Sequence, residues 1–133
     1  MNYLLDVNVL VAWGWIDHTD HDRVDRWVAS VRADADDMLL TSAISQMSFV
    51  RVSVQRSIGE IMPQAAGEHL HRMLAALGVK HRFLPDDQTG FHWPEWCQSA
   101  SRTTDAHLLT LEKAHRAKLA TLDTGIPGAF LIP

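Results

Sequence analysis

The sequence predicts an α/β fold, a three-layer α/β/α sandwich in which helices cover both faces of a central, mostly parallel sheet of four to five strands. Two observations lead to this class. Short apolar runs of strand length alternate along the chain with longer segments of helical periodicity. An aspartate also ends two of these runs, as is common where parallel strands reach a ligand-binding crevice. The length of 133 residues fits a single domain, 1–133.

The candidate strands are short and almost wholly apolar. The first reads YLLD and the fourth KLATL, and runs of this length are too short for a helix. Continuous rather than alternating hydrophobicity is typical of parallel strands that are buried on both faces. The five candidates are residues 3–6, 38–41, 80–84, 118–122 and 128–132.

Helical segments follow the first two strands. Residues 7–16 combine apolar bulk with helical spacing. Thr19 or Asp20 is a suitable N-cap for the next segment, HDRVDRWVASVRA. Ser42 or Ser45 is a suitable cap for the helix after the second strand. The order strand, helix, strand, helix is therefore already visible in the first half of the chain.

The second half continues this alternation. Pro63 suits the first turn of a helix that Gly78 ends. A further helix is expected over 93–100, where a proline again stands near the start. Thr103 or Thr104 then caps the segment TDAHLLTLEKAHRA, which leads into the fourth strand.

Composition excludes several classes of protein. Apolar residues make up 47 % and charged residues 21 %, and no apolar run reaches the roughly 20 residues that cross a bilayer. The start lacks a basic segment, so no signal peptide is expected. The single cysteine, Cys97, cannot form an intramolecular disulfide and fits a cytoplasmic protein. A net charge of −4 argues against a broad basic surface for nucleic acid, but not against an acidic catalytic site.

Three aspartates are expected to converge at one edge of the sheet. Asp6 and Asp123 end the first and fourth strands, and Asp105 lies in the first turn of the helix before the fourth strand. In a right-handed crossover that helix starts at the carboxyl edge of the sheet. Each residue also has a structural explanation alone, since aspartate favours turns and helix starts. Their coincidence at one edge favours a site.

Clustered carboxylates repel one another unless a cation or a proton neutralises them. Mg²⁺ or Mn²⁺ binds such oxygen ligands, polarises a phosphoryl group and activates a water. Asn8 and either Thr121 or Thr124 are expected to position a water or to contact a residue that binds the metal. No glycine-rich phosphate loop and no Gly-x-Ser-x-Gly segment is present, so P-loop and serine-nucleophile chemistry have no support.

The chain resembles the PIN-domain ribonucleases, and among them the VapC toxins of bacterial toxin–antitoxin pairs. The matching pieces are LLDVNVLVAW, HTDHDRVDRW, TSAISQMSFVRVSV and TTDAHLLTLEKAHRAKLATLD, in the expected order over nearly the whole chain. The resemblance implies a PIN-like α/β/α sandwich, a homodimer, and hydrolysis of RNA by bound Mg²⁺ or Mn²⁺. It also implies a cognate antitoxin that blocks the site.

The resemblance carries over to individual positions. Asp6, Asp105 and Asp123 match the family's metal-binding acids. Asn8 and Thr104 match polar residues that flank the site.

One expected acid is missing. The family commonly has a glutamate early in the helix after the second strand, and the sequence assigns that place to Gln46. An amide can still bind a metal or a water through its oxygen, but it adds no charge. We therefore expect an active enzyme with a one-metal resting site.

Other polar residues are candidates for substrate contacts. Arg51 is the best basic residue for a phosphate contact, because it lies in the matched helix, and Thr104 and Thr121 are weaker candidates. The other basic candidates are Arg56, Arg102, Lys113 and Arg116. His18 and His21 have a spacing that suits zinc, but no second pair of ligands accompanies them.

Two alternatives remain open at this point. A phosphotransferase of the haloacid dehalogenase kind also begins with an aspartate after an apolar strand, but Asn8 stands where its second aspartate belongs. A catalytically silent PIN-like module that binds RNA or a partner is the other alternative, and Gln46 in place of an acid favours it.

Overall fold

A computed structural model describes all residues, 1–133, as five parallel strands and five α-helices. The strands form one sheet in the order β3-β2-β1-β4-β5, and every neighbouring pair is parallel. The predicted α/β class and all five predicted strands are thus confirmed. The strands are β1 (Asn2–Leu5), β2 (Met38–Thr41), β3 (His81–Phe83), β4 (Lys118–Thr121) and β5 (Phe130–Leu131).

The helices lie on both faces of the sheet. Alternate strand residues point to opposite sides, so Leu5 and Ala120 pack in one buried cluster while Leu4 and Leu119 pack in another. The first cluster contains residues of α1 to α4, and the second contains residues of α5. These are the three predicted layers. The helices are α1 (Val7–Gly14), α2 (His21–Ala33), α3 (Ala43–Arg56), α4 (Pro63–Leu77) and α5 (Thr103–Ala114).

Several predicted helix ends are confirmed. Ser42 caps α3, and its side chain and that of Ser45 bond reciprocally to each other's backbone N–H, which forms a capping box. Pro63 is the first residue of α4, and Gly78 ends it with a φ of 56°. Asp20 precedes α2, although its side chain makes no capping hydrogen bond.

Two predictions near α5 were wrong. Residues 93–100 form no α-helix, because nearly all of them are exposed and a short helix without a buried face is not stable. Neither Thr103 nor Thr104 caps α5. The helix begins at Thr103 after Arg102 and a 3₁₀ turn, Ala100–Arg102, and the Thr103 hydroxyl donates to Ala100 O at 2.7 Å.

None of the helices combines the length and the apolar character needed to span a membrane.

The strand order fixes where a site can form. From β1 the chain builds outward to β2 and β3, and then crosses to the other side of β1 to add β4 and β5. In an open parallel sheet such a reversal opens a crevice at the carboxyl ends of the two strands beside it, here β1 and β4.

Candidate active site

Asp6 lies in this crevice, directly after β1. Its side chain caps α1, because Oδ1 accepts a hydrogen bond from the backbone N–H of Val7 at 2.7 Å. The other oxygen, Oδ2, accepts from the Thr121 hydroxyl at 2.7 Å. Only 4 % of the residue is exposed. The carboxylate is therefore held at both oxygens in one orientation.

Burial raises the pKa of Asp6 to about 6. The hydrogen bonds from Thr121 and Val7 oppose this rise, and the negative charges of Asp105 and Asp123 add to it. The pKa of Asp105 is also raised, first by burial and also by Asp123. The three carboxylates thus repel one another, as the sequence predicts for acids gathered at one edge.

Thr121 links Asp6 to Asp123. Its hydroxyl donates to Asp6 and accepts from the Asn8 side-chain amide at 3.2 Å and from Asp123 N at 3.0 Å. A hydroxyl has one donor and two acceptor sites, so all three are used. Thr121 is also fully buried. It positions the acids and does not reach a substrate, which corrects the predicted substrate contact.

Asn8 completes this network. Its Oδ1 accepts from the backbone N–H of Leu122 at 3.2 Å, while its Nδ2 donates to Thr121. The side chain of Asn8 thereby ties the start of α1 to the end of β4. An amide does not ionise in the physiological pH range, so the phosphotransferase alternative has no acid–base residue at this position.

Arg102 connects the other two acids. Its Nη1 donates to Asp105 Oδ2 at 3.2 Å and to Asp123 Oδ2 at 3.0 Å. Asp105 lies in the first turn of α5, as predicted, and Asp123 lies two residues after β4. Sequence reasoning included Arg102 only among several basic residues. Arg102 and Asp105 are three residues apart at the start of a helix, and this spacing is the one feature of the sequence that predicts their contact.

A cleft of about 330 Å³ opens beside the acids. Arg51, on α3, is exposed and lines the wall of this cleft, so its place agrees with the predicted phosphate contact. The His18 ring accepts a hydrogen bond from Asp20 N at 3.0 Å through Nδ1. The polar residues that line the cleft are Asp6, Asn8, His18, Arg51, Ser101, Thr104 and Asp105.

Gln46 does not belong to this cleft. Its side-chain amide donates to Thr41 Oγ1 at 2.9 Å, and it lines a separate depression together with His71 and His81. Gln46 precedes Arg51 by five positions, so the two side chains leave α3 on different sides. The predicted role of Gln46 in place of the fourth acid stays a prediction.

α3 reaches the cleft through Arg51 and Val52, one turn further along the helix than Ser48. Ser48 itself is buried and does not line the cleft. No acid of α3 lines the cleft.

The donor set suits a hard divalent cation, although no cage for it is preformed. No group of three or more histidine, cysteine, aspartate or glutamate side chains is arranged to hold a metal ion. Mg²⁺ commonly keeps several waters and uses one or two carboxylates plus a substrate phosphate, so a complete protein cage is not required. Asp6, Asp105 and Asp123 supply the oxygen donors and the negative charge that such an ion needs.

Comparison with known proteins gives a consistent result. The family model described as PIN domain matches residues 3–129. Ribonuclease VapC38 of Mycobacterium tuberculosis is 35 % identical over 136 residues, which cover 92 % of this chain and 86 % of the relative. Ribonuclease VapC39 of the same species is 32 % identical over 132 residues, which cover 95 % and 91 %.

A solved structure shares the fold. It is that of Mycobacterium tuberculosis VapC20, a sarcin-ricin loop cleaving toxin, and it superposes with a TM-score of 0.60 over 98 % of both chains. Its sequence identity of 12 % is low, so this likeness concerns the fold alone.

Proposed function

We propose that this chain, which belongs to the PIN-domain family of VapC ribonuclease toxins, is a metal-dependent endoribonuclease. The observation that carries this proposal is the joint network of Asp6, Asp105 and Asp123 at the β1–β4 crevice, connected through Thr121 and Arg102. The substrate is RNA, and the bond that breaks is a phosphodiester.

The three aspartates would hold Mg²⁺ or Mn²⁺. When bound, such an ion polarises the phosphoryl oxygen, lowers the pKa of a water and stabilises the leaving oxygen. Asp6 is the most rigid of the three acids, because Val7 and Thr121 each bond one of its oxygens. The protein thus presents at least one carboxylate in a fixed orientation, as positioning of a nucleophile requires.

The opposite wall of the cleft would bind the substrate backbone. Arg51 supplies a positive charge for a phosphate oxygen, and Thr104 supplies a hydroxyl. His18 adds a donor, because its Nδ1 accepts from Asp20 N and the proton of the neutral ring therefore lies on Nε2. These contacts offset the negative charge of the acids and orient the RNA strand.

The family also supports a wider biological setting. We propose that the single domain acts as the toxin of a type II toxin–antitoxin module in the cytoplasm, with a cognate antitoxin protein that blocks the cleft. We propose a homodimer as the active assembly.

The site assignment is tested by Asp6→Asn and Asp123→Asn. Each keeps the size of the side chain and removes a charge needed for the metal, so we expect both to abolish manganese-dependent RNA cleavage and growth arrest. Asp25→Asn, on the exposed side of α2, is the matched control and should cleave as the parent does. Circular dichroism verifies folding. If the Asp6 and Asp123 variants stayed as toxic as the parent, the assignment would be wrong.

One observation favours a second candidate, a silent PIN-like module that binds RNA or a partner. α3 contributes Arg51 and Val52 to the cleft but no acid. We therefore compare the parent with Gln46→Glu in the same cleavage assay. A parent that binds RNA but does not cleave it with Mn²⁺, while Gln46→Glu gains cleavage, would support the silent module over the enzyme.

A further inference from the structure

Arg102 contacts two acids of the site with a single atom. Nη1 lies 3.2 Å from Asp105 Oδ2 and 3.0 Å from Asp123 Oδ2. The side chain is 34 % exposed, so it stands at the rim of the site with solvent on one side. A full positive charge therefore lies between the two carboxylates, where a cation that they share would lie.

Gly125 makes room for this guanidinium. A Cβ atom at residue 125 would lie 2.6 Å from Arg102 Nη2, a distance that real contacts do not show. The φ of Gly125 is not positive, so the backbone itself would accept another residue. The nearest neighbours of such a Cβ are the flexible tip of Arg102 and Asp123 Oδ1 at 3.2 Å. An added side chain would therefore displace the arginine tip.

A divalent ion shared by Asp105 and Asp123 would lie close to the guanidinium of Arg102. Asp123 accepts from Gly125 N at 2.7 Å with Oδ1 and from Arg102 with Oδ2, so each of its oxygens has one acceptor site left, and the conflict with a metal ion is one of charge. A guanidinium a few ångströms from a divalent cation is repelled by it. Since arginine keeps its charge at every physiological pH, deprotonation does not remove this conflict.

We propose that Arg102 is a built-in counter-ion, which occupies the cation position between Asp105 and Asp123 in the metal-free protein and leaves it when a divalent ion binds. This inference rests on the proposed metal site. It makes Arg102 a positioning residue that competes with the metal. The empty site is stabilised by the arginine, and a higher metal concentration is needed to fill it.

Titration calorimetry with Mn²⁺ alone tests the competition. We expect Arg102→Met, which keeps the apolar stem and removes the charge, to lower the Kd for Mn²⁺ by roughly three- to tenfold, the scale of a partly exposed ion pair. Lys113→Met removes one positive charge elsewhere on α5 and is the matched control. Its effect should stay below about twofold, because exposed distant charges are screened by salt.

Melting temperature gives a second readout that does not depend on activity. In EDTA, Arg102→Met should melt below the parent, since the two acids lose their counter-ion. In saturating Mn²⁺ this difference should vanish or reverse. An arginine that merely stabilises the fold would lower the melting temperature equally under both conditions.

Gly125→Ala tests the same idea with all charges kept. The added methyl group pushes the guanidinium away, so Mn²⁺ should again bind more tightly than to the parent. The same substitution in the Arg102→Met background should change the affinity little, because the arginine is already absent.

Failure of the proposed competition can be distinguished from failure of the proposed metal site. An Arg102→Met protein that binds Mn²⁺ no more tightly than the parent does would overturn the competition and leave the metal site standing. A parent and an Arg102→Met protein that both fail to bind Mn²⁺ would overturn the metal site itself, and the proposed function with it.

Discussion

Asp6 shows how one residue can serve the fold and the site together. Its carboxylate caps α1, accepts from Thr121 and faces the cleft. Burying a charge costs free energy unless hydrogen bonds offset the lost hydration, and two bonds offset it only in part. The part of this cost that is not offset raises the pKa of Asp6 to about 6.

This raised pKa predicts how stability depends on pH without metal. Between about pH 4, the pKa of an unfolded aspartate, and about pH 6, the folded chain holds a proton that the unfolded chain has lost. The free energy of unfolding therefore falls as pH rises through this window. Asp6→Asn removes this pH-dependent cost, but it also replaces one acceptor oxygen by an amide donor and so loses the hydrogen bond from Val7 or Thr121. We therefore expect its stability relative to the parent to rise between pH 4 and pH 7.5 in EDTA, by on the order of 2 kcal/mol.

Urea denaturation at several pH values measures this difference. The stability of Asp6→Asn relative to the parent should be lowest near pH 4, grow up to about pH 6 and then level off. A difference that is the same at every pH would point to packing and not to the buried charge.

The sequence predicted which residues lie near the site better than it predicted the contacts that these residues make. Asp6, Asp105 and Asp123 could be placed because strand ends and a helix start determine their positions along the chain. The side of α3 that faces the cleft depends on packing against α1 and α4, which no local pattern records. That is why the sequence predicts Gln46 beside the acids, whereas its side chain lines a separate depression.

At the scale of elements, three helices meet at the end of α1. The Gly14 carbonyl accepts from His69 Nε2 of α4 at 2.6 Å, and Trp15 Nε1 donates to Ser53 Oγ of α3 at 2.8 Å. A Cβ atom on Gly14 would lie 2.9 Å from both Met73 Sδ and Phe49 Cε2. Glycine at this position allows α1 to approach both helices closely.

Gly14→Ala should therefore destabilise the protein. Overpacking of a well-filled contact costs about 1–3 kcal/mol, and the Phe49 ring is fully buried and has little room to move. Gly67→Ala is the matched control, because residue 67 lies inside α4 with no atom within 4 Å of an added Cβ.

Chemical denaturation of both variants checks the pair. Gly67→Ala should raise the free energy of unfolding by about 0.5–1 kcal/mol, since alanine favours a helix over glycine. Equal effects of the two substitutions would show that helix propensity, and not the contact among α1, α3 and α4, decides the outcome.

At the scale of the whole molecule, the class of fold was predictable and its details were less so. Buried strands and amphipathic helices leave clear patterns, and all five strands followed from them. The segment 93–100 did not form a helix, because a proline in a suitable place cannot replace a buried face. Strand order was also not readable from the sequence, since it depends on how non-local strands pair.

The exposed apolar surface bears on the proposed homodimer. Met47 is 70 % exposed, Ile58 93 % and Met62 64 %, all on α3 or between α3 and α4. We expect light scattering to give the mass of a dimer for the parent and a lower mass for Met47→Lys with Met62→Lys. Val79→Lys replaces an equally exposed apolar residue beyond α4 and should leave the mass unchanged. A monomeric parent would contradict the prediction.

The pairing of β1 with β4 has a consequence for synthesis of the protein. The hydroxyl that holds Asp6 comes from residue 121, which is translated 115 residues later. A nascent chain therefore carries Asp6 long before it carries the strand that positions this acid, and the cleft cannot form until β4 has been made. Prematurely terminated products that lack β4 should be harmless to the cell that makes them.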